Sequence, residues 1–131
     1  QLDIELIAAR HGITVVYAPA ASAHAGNVIF LDNRLDECEL WEEFCHELCH
    51  CLWHGANQLR LPPPFRDYQE WTANNFALHA CVPTFMLEDM GLSRNRKKAI
   101  WEIQRTFNVT YEFAEARLDK FVLKHAYAMF S

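Results

Sequence analysis

The sequence predicts a small α+β fold, a short β-sheet packed on a helical bundle, within a single domain over residues 1–131. Three observations carry this reading. Thr14-Val15-Val16-Tyr17 and Asn27-Val28-Ile29-Phe30-Leu31 are short β-branched and aromatic runs of the kind that form strands. From Asp36 onward, stretch after stretch repeats its apolar residues at helical spacing. Finally, 131 residues with 51% hydrophobic and 22% charged composition suffice for a core without disulfides.

Taken in order, Leu2, Leu6, Ile7 and Ala9 mark a first helix that ends near His11, with Gly12 suited to a left-handed cap. The two strands follow, separated by an Ala-rich connector that carries Pro19 and Gly26. Asp36 is placed to cap the next helix, which runs through Leu40, Trp41, Phe44, Cys45, Leu48, Cys49 and Leu52. Glu37, Glu39 and Glu42 load its first turns favourably against the helix dipole. Apolar residues cover most of its circumference, so it belongs in the core. Residues 55–64 end it, and Pro62-Pro63-Pro64 predicts an extended stretch. Phe65, Tyr68, Thr72, Phe76 and His79 then give another helix, closed before Pro83. Thr84 to Met90, Ser93 to Phe107 and Thr110 to Tyr127 read as three more, broken at Gly91 and near Asn108.

Bulk properties narrow the function. With 17 acidic against 12 basic residues the net charge is −5, so direct binding of nucleic acid is not expected. No apolar run reaches membrane-spanning length, and the start lacks the basic and apolar regions of a signal peptide. Cys38, Cys45, Cys49, Cys51 and Cys81 are odd in number, with three crowded into one helix, which is no disulfide framework. A reducing cytoplasm is the expected location. Both ends fall inside helix-like patterns, so the natural chain is expected to extend further.

The chemistry begins with His46-Glu47-Leu48-Cys49-His50, an H-E-x-x-H of the zincin type in mid-helix. Four residues advance a helix by about 400° and ~6 Å, so both imidazoles leave one face and can converge on one ion. Neutral imidazole suits zinc, and an acid one residue after the first His points toward the open coordination position where the attacking water sits. Glu47 is therefore the candidate general base. Two histidines and an acid in a buried helix would be costly without a common partner, which weighs against ordinary helix residues.

A catalytic zinc takes three protein ligands, and the third comes from His54, Glu70 or His79. His54 lies two turns beyond His46, about 12 Å along the axis, too far for one ion to join both. It suits the cleft rim or a helix C-terminus. Glu70 lies on the following helix with Asn74 one turn later on the same face, an E-x-x-x-N. That helix can offer Glu70 to the metal while Asn74 accepts the outward N–H of a ligating imidazole. His79 falls on the opposite face.

Residues 41–50 (WEEFCHELCH), then 68–78 (YQEWTANNFAL), closed by Val82-Pro83, resemble the ImmA/IrrE metallopeptidases. The likeness covers the central half of the chain. It implies His46, His50 and Glu70 as zinc ligands and Glu47 as catalytic acid/base, in a small α+β metallopeptidase domain. It also implies a cytoplasmic bacterial or mobile-element protease whose substrate is a helix-turn-helix transcriptional repressor.

The expected reaction is peptide-bond hydrolysis by a zinc-bound water activated by Glu47, with a second oxyanion donor among Tyr17, Tyr68 and His54. Substrates of related zinc peptidases add as a strand to a sheet edge, and Asn27 to Asp32 is the expected edge here. Cys45 and Cys49 sit about 100° round the helix from the histidines and read as small buried hydrophobes rather than ligands. Arg94, Arg96, Lys97 and Lys98 read as a solvated face. Two rivals share the same ligands: a zinc-stabilised module that sequesters a repressor without cutting it, and a sensing domain whose zinc is structural.

Overall fold

The computed structural model describes residues 3–53 and 62–130, without the side chains of 126–130. Its elements in chain order are α1 (Ile4–Arg10), β1 (Thr14–Ala18), β2 (Ala23–Ala25), β3 (Val28–Asp32), α2 (Glu37–Trp53), α3 (Pro63–Cys81), α4 (Thr84–Met90), α5 (Arg96–Phe107) and α6 (Tyr111–Phe130). The predicted α+β class holds: a three-stranded sheet packed on helices. By contacts the chain divides into two compact units, Gln1–Ala77 and Leu78–Ser131.

In the first unit the sheet order is β1-β3-β2. β1 runs parallel to β3, and β2 antiparallel to it, with His24 opposite Ile29. This corrects the expected edge. β3 lies in the middle of the sheet with Ile29 and Leu31 fully buried, so it has no free side for an incoming strand. The Ala-rich connector supplies the edge instead, because Gly26 at φ +56 takes the first position of a two-residue hairpin turn between Ala25 and Val28. Ser22 steadies the entry to β2, its hydroxyl accepting the Asp32 N–H at 3.1 Å.

α2 starts with a reciprocal cap: Asp36 accepts the Glu39 N–H at 2.8 Å, and Glu39 accepts the Asp36 N–H at 3.4 Å. Trp41, Phe44, Cys45, Leu48 and Cys49 are buried, and the helix packs on β3 and β2. α3 begins at Pro63, inside the triplet read above as extended. Proline is tolerated there because first-turn N–H groups have no intrahelical partner to lose.

α1 is capped by Asp3, which accepts the Glu5 N–H at 2.9 Å, and packs on β1. Tyr17 of β1 donates its hydroxyl proton to Glu5 at 2.8 Å. Partial burial of the ring, then this bond, push the Tyr17 phenol up to about 12. A folded pKa above the ordinary value of 10 holds the proton more tightly in the native state. Stability from Tyr17 is therefore complete below pH 10 and lost as pH rises toward 12. A phenolate absorbance titration should show one tyrosine ionising last in the parent, and that step should be missing from Tyr17→Phe.

In the second unit α5 packs on α6, with Ala99, Ile100, Ile103, Ala114 and Leu118 buried. Asn95 caps α5 by accepting the Lys98 N–H at 3.1 Å. Arg94, Arg96, Lys97 and Lys98 are all exposed, as expected of a solvated face, and Arg96 also forms surface ion pairs. It pairs with Asp119 and, at 3.2 Å, with Glu115, both on α6, and the guanidinium holds the Asp119 carboxyl below its ordinary range. Arg117 is 1% exposed and donates to the Val82 carbonyl at 2.8 Å and the Thr84 hydroxyl at 2.6 Å, stitching α6 to the turn between α3 and α4. Among the described residues no helix is long and apolar enough to cross a membrane.

Candidate metal centre

His46 and His50 stand one turn apart on α2, and the helix brings their Nε2 atoms to 3.3 Å with the rings inclined at 70°. Glu70, on α3, reaches both: one carboxylate oxygen lies 2.9 Å from His46 Nε2 and the other 3.3 Å from His50 Nε2. The T-shaped contact of Trp53 on Phe76, 5.2 Å between centroids, packs α2 against α3 within the same unit. His46, His50 and Glu70 thus form a group able to hold a metal ion, with one donor atom from each lying within 4.8 Å of the others.

The geometry passes a simple test of fit. Donors about 2.0–2.1 Å from an ion in a tetrahedral array stand ~3.3–3.4 Å from one another. The two imidazole nitrogens match this spacing at 3.3 Å, and each lies close to a different oxygen of the Glu70 carboxylate, at 2.9 Å for His46 and 3.3 Å for His50. Two imidazole nitrogens with one carboxylate are also a donor set that leaves a fourth position open.

Burial is graded across the ligands: the side chains of His50, His46 and Glu70 are 1%, 19% and 42% exposed. Glu47 is 6% exposed, and its Oε2 lies 2.6 Å from Nδ1 of His24 on β2. The His24 ring stacks on His50, with centroids 4.7 Å apart and planes 13° from parallel. Around this cluster Glu43 is held above its ordinary range, by burial first and also by the charges of Glu47 and Asp32.

Other residues singled out from the sequence fall outside the group. Asn74 is exposed and takes no part in the hydrogen bonds that tie the cluster together. His24 is a further neighbour of the cluster, bonded to Glu47 and stacked on His50, and sequence reasoning missed it. The only signal for it was a lone histidine between two alanines ahead of Gly26-Asn27. His79 is not part of the metal-capable group, and His54 lies outside the described residues. Tyr17 spends its proton on Glu5, and Tyr68 is exposed and stacks on Trp71. Cys45 and Cys49 are buried and form no disulfide, and burial pushes Cys49 up to about 11. A thiol that holds its proton so firmly is a poor ligand and a good filler.

The phage-like element PBSX protein XkdA of Bacillus subtilis (strain 168) is 46% identical over 98 residues, covering 75% of this chain and 50% of its own. This chain therefore spans about half the length of that relative. The uncharacterized protein YqaB of the same organism is 33% identical over 135 residues, covering 100% of this chain and 78% of its own. Residues 2–119, which carry both ligand-bearing helices, match the IrrE N-terminal-like domain of the peptidase M78 family, and the chain belongs to that family.

Proposed function

We propose that this chain is a zinc-dependent endopeptidase that hydrolyses a peptide bond in a helix-turn-helix repressor, with His46, His50 and Glu70 as ligands and Glu47 as acid/base. The observation that carries this reading is the convergence of three donor atoms within 4.8 Å beside a buried carboxylate that is not among them. Bound zinc supplies Lewis acidity, polarising the scissile carbonyl and making water nucleophilic near neutral pH.

The protein's own groups do the rest. Glu47 takes a proton from the attacking water and returns it to the departing amine. His50, sealed in the core, fixes the ligand geometry, and the more open Glu70 side leaves room for a polypeptide. Among the described residues no strand pairs with the outer side of β2, and β2 packs beside α2. An extended substrate segment can add there through its backbone. Repressor as the substrate class is supported by the family resemblance and by a relative from a phage-like element. None of the five cysteines forms a disulfide, which suits a reducing cytoplasm.

The test is co-expression with a candidate helix-turn-helix repressor, followed by mass spectrometry of the repressor and a reporter under its control. Two complementary fragments and an active reporter are expected, and a chelator added to the purified pair should abolish the fragments. An active reporter with intact repressor would instead establish the sequestering module.

A further inference from the structure

His24 lies outside the metal-capable group, yet it touches both the candidate acid/base and the most buried ligand. Its placement is built into the sheet. In β2 the side chains of Ala23 and Ala25 are exposed while His24 turns inward, and its pairing position is Ile29, which is fully buried. Among the described residues His24 is the hydrogen-bond partner of Glu47. A general base must be an ionised carboxylate, which only accepts, so the peptidase reading assigns the proton of this bond to Nδ1 of His24, donating to Oε2.

From this we propose that His24 is a positioning residue, holding the Glu47 carboxylate by Oε2 so that Oε1 is presented to the attacking water. The inference rests on the peptidase reading above. A carboxylate 6% exposed has little water to solvate it, and without this bond it would lose both its satisfied oxygen and its fixed rotamer. Stacking on His50 keeps the imidazole in the plane that the bond needs. Because β2 is also an edge strand of the sheet, the strand that would receive substrate carries the group that aims the base.

Three substitutions separate the contributions. His24→Phe keeps a ring to stack on His50 and removes the donor, His24→Ala removes both, and His24→Asn restores an N–H near the place of Nδ1. Measured on purified repressor with metal-loaded protein, kcat should fall about 10–100-fold in the Phe and Ala variants, with KM and metal content held. His24→Asn should recover most of the rate. In a Glu47→Gln background, His24→Phe should cost nothing further, because His24 acts through Glu47.

A readout independent of turnover accompanies the kinetics. In histidine-labelled protein, the His24 Nδ1–H resonance should sit far downfield in the parent and move upfield in Glu47→Gln. Parent-like kcat in His24→Phe, or an Asn variant as slow as Ala, overturns the proposal. So does loss of metal in His24→Phe, which would make the role one of supporting His50. If the parent itself leaves the repressor intact, the peptidase reading fails first, and the absence of turnover in the parent distinguishes that from failure of His24 alone.

Discussion

Glu70→Gln should empty the metal centre while leaving the fold intact. The glutamine keeps the size of the side chain but replaces an anionic donor with a neutral amide, a poor ligand for a divalent ion. His46 and His50 remain 3.3 Å apart with only two donors between them. Loss of one ligand in three should weaken binding on the order of 10³-fold, about 4 kcal/mol. The Glu70 side chain is 42% exposed, so the protein should fold as before, visible as an unchanged circular dichroism spectrum. His46→Ala should match it. His50→Ala should lose the metal and destabilise the core as well, because that ring is 1% exposed and leaves a cavity behind. Asn74→Ala should retain metal, since Asn74 is exposed. Elemental analysis of the purified proteins after a mild chelator wash decides the matter: a full equivalent of metal in Glu70→Gln sinks the ligand assignment.

Glu47→Gln should do the reverse, retaining metal and losing turnover. Glu47 follows His46 directly in sequence and is not one of the three metal-capable donors, its carboxylate being engaged by His24. The amide oxygen of glutamine can still accept that hydrogen bond, so the local packing survives. What disappears is the ability to accept a proton from water and deliver it to the leaving amine. General acid–base assistance is worth about 10²–10⁴-fold, or about 3–5 kcal/mol of barrier. Fragment formation should fall by that factor at unchanged metal content and unchanged repressor binding. Cleavage at the parent's rate would remove Glu47 from the mechanism.

Much of this centre was legible because its signals are local. An i, i+4 pair of histidines must share a helix face, and the separation of their nitrogens follows from helix geometry alone. Asp36 and Glu39 announce the start of α2 by a three-residue spacing that both side chains then use. Glu70 was reachable because an acid at helical spacing from a second polar residue marked its helix as more than packing. Long-range pairing is where sequence reasoning stopped. Ala23-His24-Ala25 has almost no intrinsic strand preference, and β2 exists because Gly26 permits a tight turn and β3 offers a partner.

The same reason hid His24. It meets Glu47 across 23 positions of sequence, and nothing near either residue encodes the meeting. Asn74 was attractive because it shares a helix face with Glu70, but the orientation of α3 leaves it exposed. β3 looked like an edge because a strongly apolar strand gives the same pattern whether one or both of its sides are paired. The start of α3 was read late because a triple proline suppresses helix in general while remaining compatible with a first turn.

The graded exposure of His50, His46 and Glu70 has a kinetic consequence. A chelating molecule cannot reach the donor sealed in the core, so exchange must proceed from the carboxylate side. Were an ion held by these three side chains, Glu70 would be the ligand nearest solvent and His50 the one most enclosed, so release would be limited at His50. Residence time is in this way set by the packing around His50, whereas the ease of first approach is set by Glu70. A bound metal would therefore be quick to enter and slow to leave, with the two rates governed by different helices.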